Sequence, residues 1–217
     1  MKLYICENAK SAKWRKGIPD GKKLSLAFAK KCICDFIGEK ERGMEIKISR
    51  NSFGKPYVQK ICKNMPGETK KIRMDISVHF SLSHSENMMI CAVACFNMGA
   101  DCQKRIPKDI KICKKIAKRF YSPAENAFLD SISSDADYID NFFSIWAKKE
   151  AYIKYTGKGM AEGLDTFSVA GETAQKSYPK EVCFKRIHLE NPKKDDFYIY
   201  LCYDKKNKNT LKIRYFN

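Results

Sequence analysis

Side chains able to share one piece of anion chemistry recur at four places in this chain. Glu150 and Lys154 lie four residues apart in Trp146-Ala-Lys-Lys-Glu-Ala-Tyr-Ile-Lys154, so on a helix they stand one turn above each other. They read either as an ion pair on a helix surface or as a carboxylate for a metal or proton beside an ammonium for phosphate. Asp101 lies in Gly99-Ala-Asp-Cys-Gln103. If residues 98–103 are extended, Asp101 and Gln103 share a face. A carboxylate there suits magnesium, which takes few protein carboxylates and keeps water or substrate phosphate for the rest. His84 sits between two hydroxyls in Ser83-His-Ser85, read as a turn able to hydrogen-bond an anion. Gly54-Lys55-Pro56 is a second turn, with N–H groups and an ammonium to offer. Each also has a plain structural reading: a solvated aspartate, an exposed histidine, a loop, a decorative ion pair.

The elements that must position these residues follow from periodicity. Phe142 to Met160 fits a helix with one wide apolar face, ending at Gly157 or Gly159. Leu24 to Ile37 reads as a helix closed by Gly38, and Asp109 to Phe120 as another. Ser122 to Leu129 starts on a capping box, with Ser122 as N-cap, Pro123 first and Glu125 three along. Ser133 to Asp140 reads as a polar link. Strands are predicted at Lys2 to Cys6, Glu45 to Ser49, Val78 to Leu82, Met88 to Phe96, Thr166 to Ala170, Glu181 to Ile187, Phe197 to Tyr203 and Leu211 to Phe216. Residues 10–20 and 59–75 read as loops, and Asp204 to Asn209 as a hairpin loop between the last two strands. Helix and strands occur in both halves. The order predicts an α+β fold of two similar lobes, residues 1–104 and 105–217, each a small antiparallel sheet on a long helix.

Composition narrows the partners. The 217 residues are 44% hydrophobic and 31% charged, as in soluble globular proteins. No apolar run approaches the length of a membrane span, and the first residues lack a signal peptide, so a cytoplasmic protein with no membrane partner is expected. The ten cysteines form no Cys-x-x-Cys pair, which argues against a zinc ribbon or a thioredoxin-like site. A net charge of +17 calls for an anionic partner. A nucleic-acid binder would need a basic stripe with exposed aromatics, which the sequence lacks, and would have no use for the acidic pair.

In this order the four motifs resemble those of the surfactin-type 4′-phosphopantetheinyl transferases. Trp146 to Lys154 matches that family's Trp-x-x-Lys-Glu-Ala-x-x-Lys at every fixed position. Phe120-Tyr-Ser-Pro-Ala-Glu125, Gly157-Lys-Gly159 and Leu164 to Val169 are also similar, so the resemblance runs from about Ser52 to Val169. It implies two lobes with pseudo-twofold symmetry and a cleft between them. It implies transfer of phosphopantetheine from coenzyme A to a serine of an acidic acyl or peptidyl carrier protein, leaving adenosine 3′,5′-bisphosphate. By the resemblance Asp101 and Glu150 hold magnesium, with water or Gln103 completing it. Glu150 also serves as base, and Lys154 contacts phosphate. Lys55, Pro56, Ser83 and His84 meet coenzyme A. One departure matters: Gln103 stands where many members carry glutamate. That keeps open a silent relative that binds coenzyme A or carrier without turnover. Two fused lobes could build the cleft in one chain, so a monomer is expected.

Overall fold

The computed structural model describes residues 1–7, 21–64, 71–106, 109–170, 181–189, 196–207 and 210–216. The loop expected at residues 10–20 therefore lies outside the described residues. No helix among those described is long and apolar enough to cross a membrane.

The first sheet runs in the order β10-β1-β6-β5, made of Lys212–Tyr215, Lys2–Cys6, Met88–Ala94 and His79–Ser85. Helix α1 (Lys22–Ile37) covers one face through Phe28, Cys32 and Ile33 against Tyr4, Cys91 and Val93. The other face carries Leu3, Ile5, Ile90 and Ala92 onto a second sheet. Being covered on both sides explains why β6 is buried at every position and reads as an unbroken apolar run.

That second sheet has the order β7-β9-β8, from Met98–Lys104, Phe197–Asp204 and Val182–Ile187. Met98, Ala100 and Cys102 of β7 point to the first sheet. Gly99, Asp101 and Gln103 therefore point the other way, toward α4 (Asp135–Thr156). Helices α2 (Ile110–Phe120) and α3 (Pro123–Asp130) complete that layer. The layers are thus α1, sheet, sheet, helices. A third sheet, β2-β3-β4 (Met44–Arg50, Pro56–Asn64, Lys71–Arg73), extends from the α1 side. The α+β class with small sheets is as expected, though β1 and β10 pair in parallel. Strand β7 joins the strands of the chain's second half, and β10 joins β1.

Several local expectations are corrected. Residues 59–75 are not one loop. They hold most of β3 and all of β4, with Ile61 buried against α1, and a register shift between Lys47 and Ile48 hides the alternation. The link at Ser133 to Asp140 is the first turns of α4. Ser134 accepts from the Asp137 N–H at 3.4 Å, and Asp135 and Asp137 sit at the positive end of the helix. Ser83-His84-Ser85 is strand, and the turn is at Glu86, the only non-glycine with positive φ (54°) among the described residues. Thr166 to Ala170 is not a strand, because buried side chains take its backbone groups, as described below. Asp204 to Asn209 does not join a hairpin: β9 leads into a 3-10 turn at Lys205–Asn207, and β10 pairs with β1, not β9.

Candidate active site

Helix α4 and strand β7 approach each other unusually closely. A Cβ on Gly99 would lie 1.9 Å from the Ala151 carbonyl oxygen and 2.5 Å from the Tyr155 nitrogen. Only glycine fits there, which accounts for the glycine two residues before Asp101. The contact brings Asp101 under the last turns of α4. Lys154 donates to Asp101 Oδ1 at 2.7 Å, so the ammonium pairs with Asp101 and not with Glu150 one turn away. Ser83 Oγ donates to the same oxygen at 2.7 Å. Asp101 Oδ2 is buried and has no hydrogen-bond partner.

Glu150 lies one turn before Lys154. Its carboxylate makes no hydrogen bond or ion pair among the described residues. Burial raises its pKa above the ordinary carboxylate value, Lys154 pulls it back, and Asp101 adds to the rise. Glu150 and Lys154 border a cleft of about 340 Å³ that is also lined by Lys55, Pro56, Phe80, Leu82, Gly157 and Met160. Thus the structure brings together Asp101, Glu150, Lys154, Lys55 and Pro56, drawn from β7, α4 and the turn into β3.

Ser83 and His84 part company. Alternation along β5 puts Ser81, Ser83 and Ser85 on one face. Their hydroxyls bridge to β7: Ala100 N–H donates to Ser81 Oγ at 2.9 Å, Ser83 donates to Asp101, and Lys104 N–H donates to Ser85 Oγ at 3.0 Å. Three serines thus join the edges of two sheets where no backbone ladder does. Ser83 is buried and its hydroxyl is taken by Asp101, so in this structure it does not face the cleft that the resemblance expected it to serve. His84 stands on the other face, next in a row after Phe80 and Leu82 of the cleft wall, and is exposed. Gln103 is on the Asp101 face of β7. Its amide nitrogen donates to the Lys104 carbonyl at 3.1 Å, and it lines a smaller pocket with Ile116, Phe142 and Trp146.

Lys55 is held as well as holding. Its ammonium donates to Asn97 Oδ1 at 2.9 Å and to the Tyr155 carbonyl at 3.2 Å, at the negative end of α4. Burial lowers its pKa to about 8. Asn51 shapes the turn: its Oδ1 accepts from the Phe53 and Lys55 N–H groups, and its amide donates to the Gly157 carbonyl at 2.9 Å. Gly157 ends α4 with φ 76°, and a Cβ there would meet Lys55 at 2.9 Å. The turn and the helix end are therefore one unit.

Beneath the site lies a fully buried ion pair. Lys149 and Glu125, each with 0% side-chain exposure, meet at 2.7 Å. Lys149 also donates to the Leu164 and Phe167 carbonyls, both at 2.6 Å, while Glu125 accepts from Val169 N–H at 2.7 Å and from Ser122. Glu125 thus makes its expected capping box and something more. These bonds occupy the Leu164 and Phe167 carbonyls and the Val169 N–H, the last two within the segment Thr166 to Ala170 that was expected to be a strand. Burial lowers the Lys149 pKa and Glu125 opposes the change. Sequence reading missed Asn51, Ser81, Asn97 and Lys149. The period-two serines and the lysine set in α4's buried stripe between Ile145 and Ile153 were the available signals.

In this α+β architecture Glu150, Lys154 and Lys55 border one cleft, and Asp101 is tied to its wall through Lys154, so hard oxygen donors and ammonium groups lie side by side. Residues 97–202 match the model of the 4′-phosphopantetheinyl transferase superfamily. The chain's relatives include 4′-phosphopantetheinyl transferase Sfp of Bacillus subtilis, 35% identical over 58% of this chain and 47% of the relative. 4′-phosphopantetheinyl transferase gsp of Aneurinibacillus migulanus is 31% identical over 56% of this chain and 43% of the relative. 4′-phosphopantetheinyl transferase HetI of a Nostoc species is 40% identical over 42% of this chain and 37% of the relative. The matched part of the chain thus spans less than half the length of each of these curated relatives.

Proposed function

We propose that this chain is a 4′-phosphopantetheinyl transferase that moves phosphopantetheine from coenzyme A to a serine of an acidic apo-carrier protein. The observation that carries the reading is the Asp101–Lys154–Glu150 group at the cleft, built on the segment that matches the family. In the reaction the serine oxygen forms a bond to the β-phosphorus. The bond from that phosphorus to the bridging oxygen breaks, and adenosine 3′,5′-bisphosphate leaves. Transfer of this kind rests on positioning and charge neutralisation. Lys154 opposes charge on the phosphates. Glu150, with its raised pKa, accepts the serine proton. Lys55, Pro56 and His84 line the nucleotide side.

Magnesium fits these residues. Asp101 Oδ2 lacks a partner, Glu150 is equally unpaired, and both are the hard donors the ion prefers. No group of three or more His, Cys, Asp or Glu suited to a metal occurs among the described residues, so water or substrate phosphate would complete the shell. Bound there, magnesium would neutralise charge developing on the pyrophosphate. Gln103 keeps its Oε1 for a water but brings no charge. In our reading the molecule is a cytoplasmic monomer of two pseudosymmetric lobes, with no nucleic-acid or membrane partner.

Gln103 also favours a second reading, a silent relative that binds coenzyme A or carrier without turnover. One assay separates the two. The chain is incubated with coenzyme A, magnesium and a panel of fatty-acid, polyketide and peptide-synthetase apo-carriers, and the carriers are weighed intact. Addition of a phosphopantetheine mass to at least one carrier is expected. No addition to any of them would leave the silent reading.

A further inference from the structure

We propose that Lys154 is an internal counter-ion that closes the Asp101 carboxylate and must be displaced before a metal can bind there. The proposal rests on the functional reading above and concerns how that site is switched.

Asp101 is closed on every side. Its side chain is 6% exposed. Oδ1 is shared by Ser83 Oγ and Lys154 Nζ, and Oδ2 is sealed without a partner. The Ser83 bond comes from a strand and is fixed. The Lys154 bond comes from a four-carbon stem on the last turn of α4, 28% exposed at the cleft. Of the two it is the one that can leave. An ammonium and a dication compete for one carboxylate, both for its oxygen and through their repulsion. Lysine is a mobile point charge, and a phosphate arriving in the cleft gives it somewhere else to go. Metal and phosphate would then favour each other's binding, since each needs Lys154 off Asp101. With two carboxylates, and Gln103 in place of a third, a metal alone has little with which to displace it.

The test needs no turnover. Manganese serves as probe with the full chain and no coenzyme A, free ion being followed by electron paramagnetic resonance. Lys154→Met keeps the side-chain length and removes the charge. It is expected to bind manganese at least about tenfold more tightly than wild type. Equal, weaker or absent binding in the variant would overturn the proposal. Adding Asp101→Asn to Lys154→Met should erase the gain, and a gain that survives places the metal elsewhere and also overturns it. Thermal melting of each variant establishes that it is folded. Wild type that modifies carriers, beside a Lys154→Met variant with unchanged manganese affinity, would remove this proposal and leave the function standing. Tighter manganese binding without carrier modification would do the reverse.

Discussion

Burial around Glu150 has a consequence for stability as well as for chemistry. Its carboxyl pKa is raised in the folded protein, by burial first and by Asp101, with Lys154 opposing. A raised acid binds more protons folded than unfolded across the window from about 4.3, the ordinary value, up to its raised pKa. Stability therefore falls as pH rises through that window. At neutral pH the ionised group costs stability. Glu150→Gln should melt higher than wild type at pH 7, with the difference vanishing below the window, as thermal scans at both pH values would show. The same variant should lose at least about a hundredfold in transfer rate if Glu150 is the base. Ser83→Ala leaves Asp101 Oδ1 with Lys154 alone and should cost about 1–3 kcal/mol in urea denaturation. Asp101, Glu150 and Lys154 could be read in the sequence because their residue types and fixed spacing carry the signal themselves. Lys154's partner could not: the helix spacing pointed to Glu150, and only the approach of β7 delivers Asp101. Asn51 and Asn97 were hidden for the same reason, since each acts on α4 carbonyls more than fifty residues away.

At the scale of elements, the site depends on how α4 is seated. Gly99 lets β7 touch its backbone. The Lys149–Glu125 pair fixes its rotation, and because adjacent helix residues point about 100° apart, locking Lys149 inward aims Glu150 at the cleft. Gly99→Ala should push β7 from Ala151 and cost about 1–3 kcal/mol or more, with loss of transfer even where folding is retained. Lys149→Met strands a buried carboxylate and should cost about 3–5 kcal/mol. Adding Glu125→Gln to it should recover part of that, and a double variant no more stable than the single would contradict the account of the pair. Helix ends were legible here because caps are local: Ser122, Pro123, Glu125 and Gly157 sit at the ends they signal. The strand expected at Thr166 to Ala170 failed because a lysine and a glutamate, distant in sequence, claim its backbone. The link at Ser133 to Asp140 failed because acidic residues that complement a helix N-terminus look the same as a polar loop.

Across the whole molecule, the surplus of lysine and arginine, 42 against 25 acidic residues, fits the proposed transfer, in which coenzyme A and an acidic carrier are both anionic. Exposed charges act at a distance that salt shortens to about 8 Å at physiological strength. Raising salt from 50 to 500 mM should therefore raise KM for an acidic carrier several-fold with a smaller effect on kcat. The layers α1, sheet, sheet and helices were only partly legible: both helix-on-sheet pairs were, but the placement of β7 and β10 was not, since strand partners are set by long-range packing that no local pattern encodes.

We propose that Asp101 and Glu150 make this cleft a transferase site. The most direct test is the amount of adenosine 3′,5′-bisphosphate released from coenzyme A, set against the mass gained by an apo-carrier in the same reaction. The two should match one to one with wild type, and both should disappear in folded Asp101→Ala and Glu150→Ala variants. Release and mass gain that persist in those variants would contradict the proposal.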